Sequence, residues 1–125
     1  MSILNEILRN CRVLVAEDEY VIANEFCLEL EDSGAVVIGP VGTLETLLQT
    51  ISTTPKLDGA ILDVNLGGKM SFVAADRLMA AGVPFVFMTG YDATSIPDRF
   101  EGITCCEKPL RVANIVQAIS QAIHL

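Results

Sequence analysis

An α/β fold with a doubly wound parallel sheet and helices on both faces is predicted by three observations. Short apolar runs of strand length alternate five times with longer stretches whose apolar residues recur at helical spacing. The connections are short, which favours parallel strands joined by right-handed crossovers. One run, Pro84-Phe85-Val86-Phe87-Met88, is apolar throughout, as expected of a strand covered on both faces.

Residues 1–10 carry Ile3, Leu4, Ile7 and Leu8, a spacing that fits either a small docked helix or a frayed end, and they read as an extension of a domain spanning 11–125. Residues 12–16 form the first strand. Residues 19–32 form the first helix, with Ile22, Ala23, Phe26, Leu28 and Leu30 among its apolar residues and Ser33-Gly34 as its stop. The second strand is expected over 35–38, closed by Gly39-Pro40. Thr43 can cap the second helix, whose apolar face is Leu44, Leu47, Leu48 and Ile51, and Thr54-Pro55 ends it. The third strand ends at Asp63, and Gly67-Gly68 lets the backbone turn soon afterwards. Ser71 starts the third helix, with Phe72, Val73, Ala75, Leu78 and Met79 expected inward and Gly82 as its end. After the fourth strand, 84–88, the stretch 91–100 has a thin apolar stripe and an interrupting Pro97. The fifth strand is 103–106. The last helix is 111–124, with Val112, Ile115, Val116, Ile119 and Ile123 on its apolar face.

The totals narrow the function classes. The 125 residues make one domain, 51% of them hydrophobic and 19% charged, which excludes a disordered tail or a coiled coil. A net charge of −8 argues against a nucleic-acid surface. No apolar run approaches a membrane span, and the first ten residues lack a signal-peptide pattern, so a cytoplasmic protein is expected. Cys11, Cys27, Cys105 and Cys106 show no paired zinc spacing and only one histidine is present, so the thiols are expected to be buried and reduced. That histidine, His124, reads as an ordinary residue of the last helical turn.

Chemistry concentrates at the strand ends. Glu17-Asp18 follow strand one, Asp63 ends strand three, Thr89 follows strand four and Lys108 follows strand five. In open parallel sheets, ligands bind beyond these ends, in the crevice at the topological switch point. Three carboxylates converging there repel one another unless a cation lies between them, and hard oxygen ligands suit Mg²⁺ or Mn²⁺. A hydroxyl and an ammonium on neighbouring strands could hold phosphoryl oxygens. Glu19 reads as helix-terminal charge rather than a ligand.

With these residues in place, nearly the whole chain from Arg12 onward resembles a receiver domain of the two-component response regulators. The motifs are Val-Ala-Glu-Asp-Glu at 15–19, Leu-Asp-Val-Asn-Leu at 62–66, Met-Thr-Gly-Tyr at 88–91 and Glu-Lys-Pro-Leu at 107–110. The resemblance implies a flavodoxin-like five-stranded sheet of order 2-1-3-4-5. It implies that Asp63 is the phosphoacceptor for a phosphohistidine on a histidine kinase or phosphotransfer protein. Asp18, Asp63 and the backbone carbonyl of Asn65 would bind Mg²⁺, with Glu17 helping through water. Thr89 would hydrogen-bond the phosphoryl group and Lys108 would pair with it, the bond to Pro109 being cis. Autophosphorylation and autodephosphorylation would be the only reactions, with no turnover of an external substrate. Asn65 and Tyr91 occupy positions where the family varies the lifetime of the acyl phosphate.

The pattern is broken at one place. The family usually carries Tyr or Phe three residues before the lysine, and here that residue is Cys105. Phe-Met-Thr-Gly-Tyr at 87–91 is similar to the Phe-Ala-Thr-Gly-Tyr subgroup, often single receiver domains, and suggests that 91–101 is the mobile element. No output domain follows His124 in this sequence: if this is the whole protein, signalling would run through an unknown downstream protein or by phosphate shuttling, and if it is a fragment of a longer chain the output is open. A haloacid-dehalogenase-type phosphatase would need an acid where Asn65 stands, and a nucleotide-binding flavodoxin relative would be repelled by Glu17-Asp18-Glu19. The remaining alternative is a degenerate receiver that acts only by binding proteins. The oligomeric state is left open by the sequence.

Overall fold

A computed structural model describes residues 6–90, 96–109 and 111–124. Five parallel strands make the sheet: β1 (Arg12–Ala16), β2 (Val36–Val41), β3 (Gly59–Asp63), β6 (Phe85–Thr89) and β7 (Cys105–Glu107), in the order β2-β1-β3-β6-β7. The helices are α1 (Tyr20–Asp32), α2 (Leu44–Thr53), α3 (Phe72–Ala80) and α4 (Val112–Ile123). A two-stranded antiparallel hairpin, β4 (Asn65–Leu66) with β5 (Lys69–Met70), lies between β3 and α3. This is the flavodoxin-like architecture expected from the motifs, since the five strands taken in chain order pair as 2-1-3-4-5.

The strands are apolar on both sides because both sides are covered. Val13 and Val15 of β1, Ile61 of β3, and Val86 and Met88 of β6 pack with Phe26 and Leu30 of α1 and Ile115 and Ile119 of α4. Their neighbours Leu14, Ala16, Ala60, Leu62, Phe85 and Phe87 face the other way, onto Leu47 of α2 and Ala74, Ala75 and Leu78 of α3. The alternation is the two-residue period of a pleated strand.

Several elements differ from the sequence expectation. β2 does not stop at Gly39-Pro40 but runs to Val41, through a bulge that shifts the pairing from Leu14 with Ile38 to Ala16 with Val41. A proline fits there because β2 is an edge strand with one side free of ladder bonds. β7 is displaced toward Glu107, since regular pairing with β6 begins only at Cys105. Val73 and Met79 of α3 are exposed instead of inward, because Ala74, Ala75 and Leu78 carry the buried stripe. Tyr20, Val21 and Leu28 of α1 are exposed as well. In place of a regular helix before β7, the described residues show one 3-10 turn, Asp98–Phe100. Phe100 is buried against Phe72, Phe85 and Phe87, and Arg99 forks onto Asp76 of α3 at 2.8 and 3.1 Å. The part of the expected mobile element that includes Tyr91 lies outside the described residues.

The chain before β1 is docked. Leu8 is fully buried in the α1–α4 side of the core, its amide donates to the Ser33 carbonyl at 2.9 Å, and the Asn10 amide donates to the Gly34 carbonyl at 3.0 Å. Gly34 has φ of +93°, and a Cβ there would lie 2.8 Å from the Arg9 Cα, so the helix end and the incoming chain require glycine. Replacing Leu8 by Ala is expected to destabilise the fold by about 2–5 kcal/mol, the usual cost of emptying a buried leucine site. A urea midpoint indistinguishable from the parent's would show that this segment does not belong to the core.

Candidate functional site

Pairing register builds the site. Ala16 of β1 is opposite Leu62 of β3, so the next residues, Glu17 and Asp63, come out side by side. Both continue the strand alternation toward the α1–α4 side, as Lys108 does one residue beyond β7. Asp63 is 4% and Glu17 2% exposed, although both are acids. Glu17, Asp18 and Asp63 each offer a carboxylate oxygen within 4.8 Å of the others.

Lys108 supplies the opposing charge from two strands away. Its Nζ lies 2.8 Å from Asp63 Oδ2 and 2.8 Å from Glu17 Oε1, and 3.9 Å from Glu19 Oε1. The side chain crosses beside Gly90, where an added Cβ would touch Lys108 Cδ at 4.0 Å. The Lys108 amide donates to the Thr89 carbonyl at 2.7 Å, and the Lys108-Pro109 bond is cis. Burial works to lower the ammonium's pKa, but its contacts with Asp63 and Glu17 outweigh burial and hold it above the ordinary lysine value. Burial pushes the Glu17 carboxyl up, and the adjoining Asp63 carboxylate adds to this against the pull of Lys108.

The backbone around Asp63 is tightly held. Asp63 Oδ1 accepts from the Asn65 amide at 3.1 Å, and its carbonyl accepts from the buried Ser71 hydroxyl at 2.7 Å. The Val64 amide donates to the Met88 carbonyl at 2.8 Å. Asp18, exposed on its own loop, is held through Oδ2 by the Gly67 amide at 3.0 Å. Thr89 is buried at the end of β6. Together Asp18, Asp63, Asn65, Met70, Thr89 and Lys108 line a cleft of about 380 Å³.

The sequence-predicted residues therefore meet in one place: Glu17, Asp18 and Asp63 lie within reach of one another, Lys108 contacts Glu17 and Asp63, and Asn65 and Thr89 line the same cleft. Ser71 was expected only to start α3. It makes no side-chain cap and instead bonds Asp63, eight residues earlier, a link that no local pattern announces. Glu19 precedes α1 without a side-chain cap and turns to the cleft. The hairpin that brings Met70 to the cleft was read only as a glycine turn.

The donors fit a hard divalent cation. They are all oxygens, and Glu17 Oε1 is buried with no aligned hydrogen-bond donor, its nearest positive group being the Lys108 ammonium. None of the four thiols lines the cleft, and burial pushes each above its ordinary pKa. Cys105 and Cys106 are half-buried rather than buried.

No protein-family model matches the sequence. The chain is 34% identical over 120 residues to the phyllosphere-induced regulator PhyR of Methylorubrum extorquens, an alignment covering 89% of this chain but only 43% of PhyR. The solution structure of SdrG from Sphingomonas melonis matches over the full length of both chains, at 33% identity and a TM-score of 0.72. A second SdrG structure, of the BeF3-activated conformation, from Pseudomonas melonis, matches at 34% identity over 94% of this chain and 98% of SdrG, with a TM-score of 0.69. The fold is also that of a response regulator receiver protein from Sinorhizobium medicae, with a TM-score of 0.80 at 22% identity over 94% of this chain and 97% of that one. The chain belongs to the response-regulator receiver family. This receiver spans less than half of PhyR. Among its described residues no helix is long and apolar enough to cross a membrane.

The raised Glu17 pKa has a definite sign in stability. A folded-state value above the unfolded one means that the native receiver binds this proton more tightly, so the contribution is full below about pH 4 and is lost as pH rises through the folded value. Glu17→Gln, neutral throughout, escapes that loss. Without divalent ions, its urea midpoint relative to the parent is expected to rise between acid and neutral pH. A gap that stays constant or shrinks would contradict this.

Proposed function

We propose that this receiver takes a phosphoryl group onto Asp63 from a histidine kinase or a histidine phosphotransfer protein, in a Mg²⁺-dependent step. The observation that carries the reading is the convergence of three carboxylates and one ammonium on the end of β3, with Asp63 touching the lysine at 2.8 Å. An Asp63 carboxylate oxygen attacks the phosphorus, the bond to the donor imidazole nitrogen breaks, and its electron pair returns to the ring. Asp18, Asp63 and the Asn65 carbonyl would hold the cation, with Glu17 acting through water. When bound, the cation neutralises charge on the phosphoryl oxygens. Lys108 would move from the carboxylates to a phosphoryl oxygen, and Thr89 would hydrogen-bond another. Positioning and charge balance supply the catalysis, since the acceptor itself needs no proton removed.

The receiver unit is assigned to 11–125, with the preceding residues an extension whose described part packs on α1. Signalling passes by protein contact or phosphate shuttling in the cytoplasm. The exposed Tyr20, Val21 and Leu28 of α1, which begins next to the cleft, suit a protein partner. The SdrG relative adopts a BeF3-activated conformation, and the same chemistry is inferred here.

Acetyl phosphate with Mg²⁺, read by intact mass, should add one phosphoryl group that is lost without metal and absent in Asp63→Asn. No adduct and no Mg²⁺-dependent beryllofluoride complex would instead favour a receiver that works only by binding partners.

A further inference from the structure

Met70 has no part in the reading above, yet it stands at the mouth of the Asp63 cleft. It is 43% exposed, the large exposed apolar side chain in a wall whose other members are three acids, Asn65, Thr89, Lys108, Gly90 and the buried Val64. Its place is set by the hairpin. Asn65 and Met70 are directly paired across β4 and β5, so their side chains share one face, and that face lines the cleft. The opposite face carries Leu66 into the core and Lys69 to an ion pair with Glu45 of α2. The turn between the strands, Gly67-Gly68, has φ of +58° and +95°. It is pinned by the Gly67 amide on Asp18 at 3.0 Å and the Gly68 amide on the Asn65 side chain at 2.7 Å, and the Ser71 amide closes the base on the Val64 carbonyl at 2.9 Å. Met70 is thus held over the cleft rather than left at a loose loop tip.

We propose that Met70 is a water gate that sets how long a phosphoryl group stays on Asp63. This rests on Asp63 being the phosphoacceptor. Hydrolysis needs a water oxygen to form a new bond to phosphorus while the bond to the Asp63 oxygen breaks, the electron pair returning to the carboxylate and the water's proton leaving with inorganic phosphate or solvent. The polar walls would order such a water, whereas an apolar side chain above them occupies its approach without offering it a hydrogen bond.

The test compares the parent, Met70→Ala and Met70→Leu. Each is loaded with acetyl phosphate and Mg²⁺, freed of donor, and followed by intact mass, with Mn²⁺ affinity measured separately on the unphosphorylated proteins. The gate predicts severalfold faster decay in Met70→Ala, near-parental decay in Met70→Leu, which keeps the apolar bulk, and equal Mn²⁺ affinities. Equal decay in Met70→Ala and parent overturns the gate and leaves Asp63 chemistry standing. So does equally fast decay in both variants, or faster decay joined to weaker Mn²⁺ binding, which would trace the effect to Asp18 through the hairpin. A parent chain that accepts no phosphoryl group and forms no beryllofluoride complex overturns the phosphoacceptor reading, and the gate with it, before any variant is compared.

Discussion

Two acids that strand pairing forces into contact out of water are the constraint on which the rest of this receiver depends. Glu17 and Asp63 are neighbours because Ala16 and Leu62 are paired, and burial denies them the solvent that would screen their repulsion. Lys108 offsets that repulsion from the far side of β6, and its ammonium is within 2.8 Å of both. The balance is incomplete: only the bond to Asp63 is aligned, and the buried Glu17 Oε1 has the ammonium beside it without an aligned hydrogen bond. Such a site favours whatever brings more positive charge to it, and this is the physical basis of the proposal that it takes a divalent cation.

The surroundings keep that unfavourable cluster in place. Asp63 is fastened through its carboxylate, its carbonyl and the following amide, to Asn65, Ser71 and Met88. The two halves of the core differ in character. The α1–α4 side is aliphatic apart from Phe26 and its thiols, while the α2–α3 side holds Phe72, Phe85, Phe87 and Phe100 in edge-to-face and stacked contact at 5.3–6.4 Å. Cys105 packs against this aromatic group, where the family usually has an aromatic of its own on that strand. Phe100 brings its ring to the cluster from the 3-10 turn, so the segment entering β7 is anchored in the core.

Glu17, Asp18, Asp63, Thr89 and Lys108 were legible as a site because each follows an apolar run, and in a parallel sheet the ends of such runs share one edge. The five strands and the helices α1 to α4 were legible from hydrophobic period and from punctuation such as Thr43, Gly34 and Gly82. Less was readable where pairing with a distant strand decides the outcome. The extension of β2 through Pro40 depends on a bulge against β1, and the start of β7 depends on where β6 can pair with it. The inward direction assigned to Val73 and Met79 failed because a short amphipathic helix has more apolar residues than its contact stripe can cover.

By itself the sequence determined the order of elements, the acidic and basic strand ends, and the family motifs, because these follow from local period, local turn chemistry and residue identity. Only the tertiary structure decided that Ser71 would bond Asp63, that Gly67 would hold Asp18, that Leu8 would sit in the core, and that a hairpin would bring Met70 over the cleft. Each of these joins groups through space across a turn, a strand or half the chain. Their geometry is set by how the sheet registers and how the loops close, and neither leaves a period in the sequence to be read.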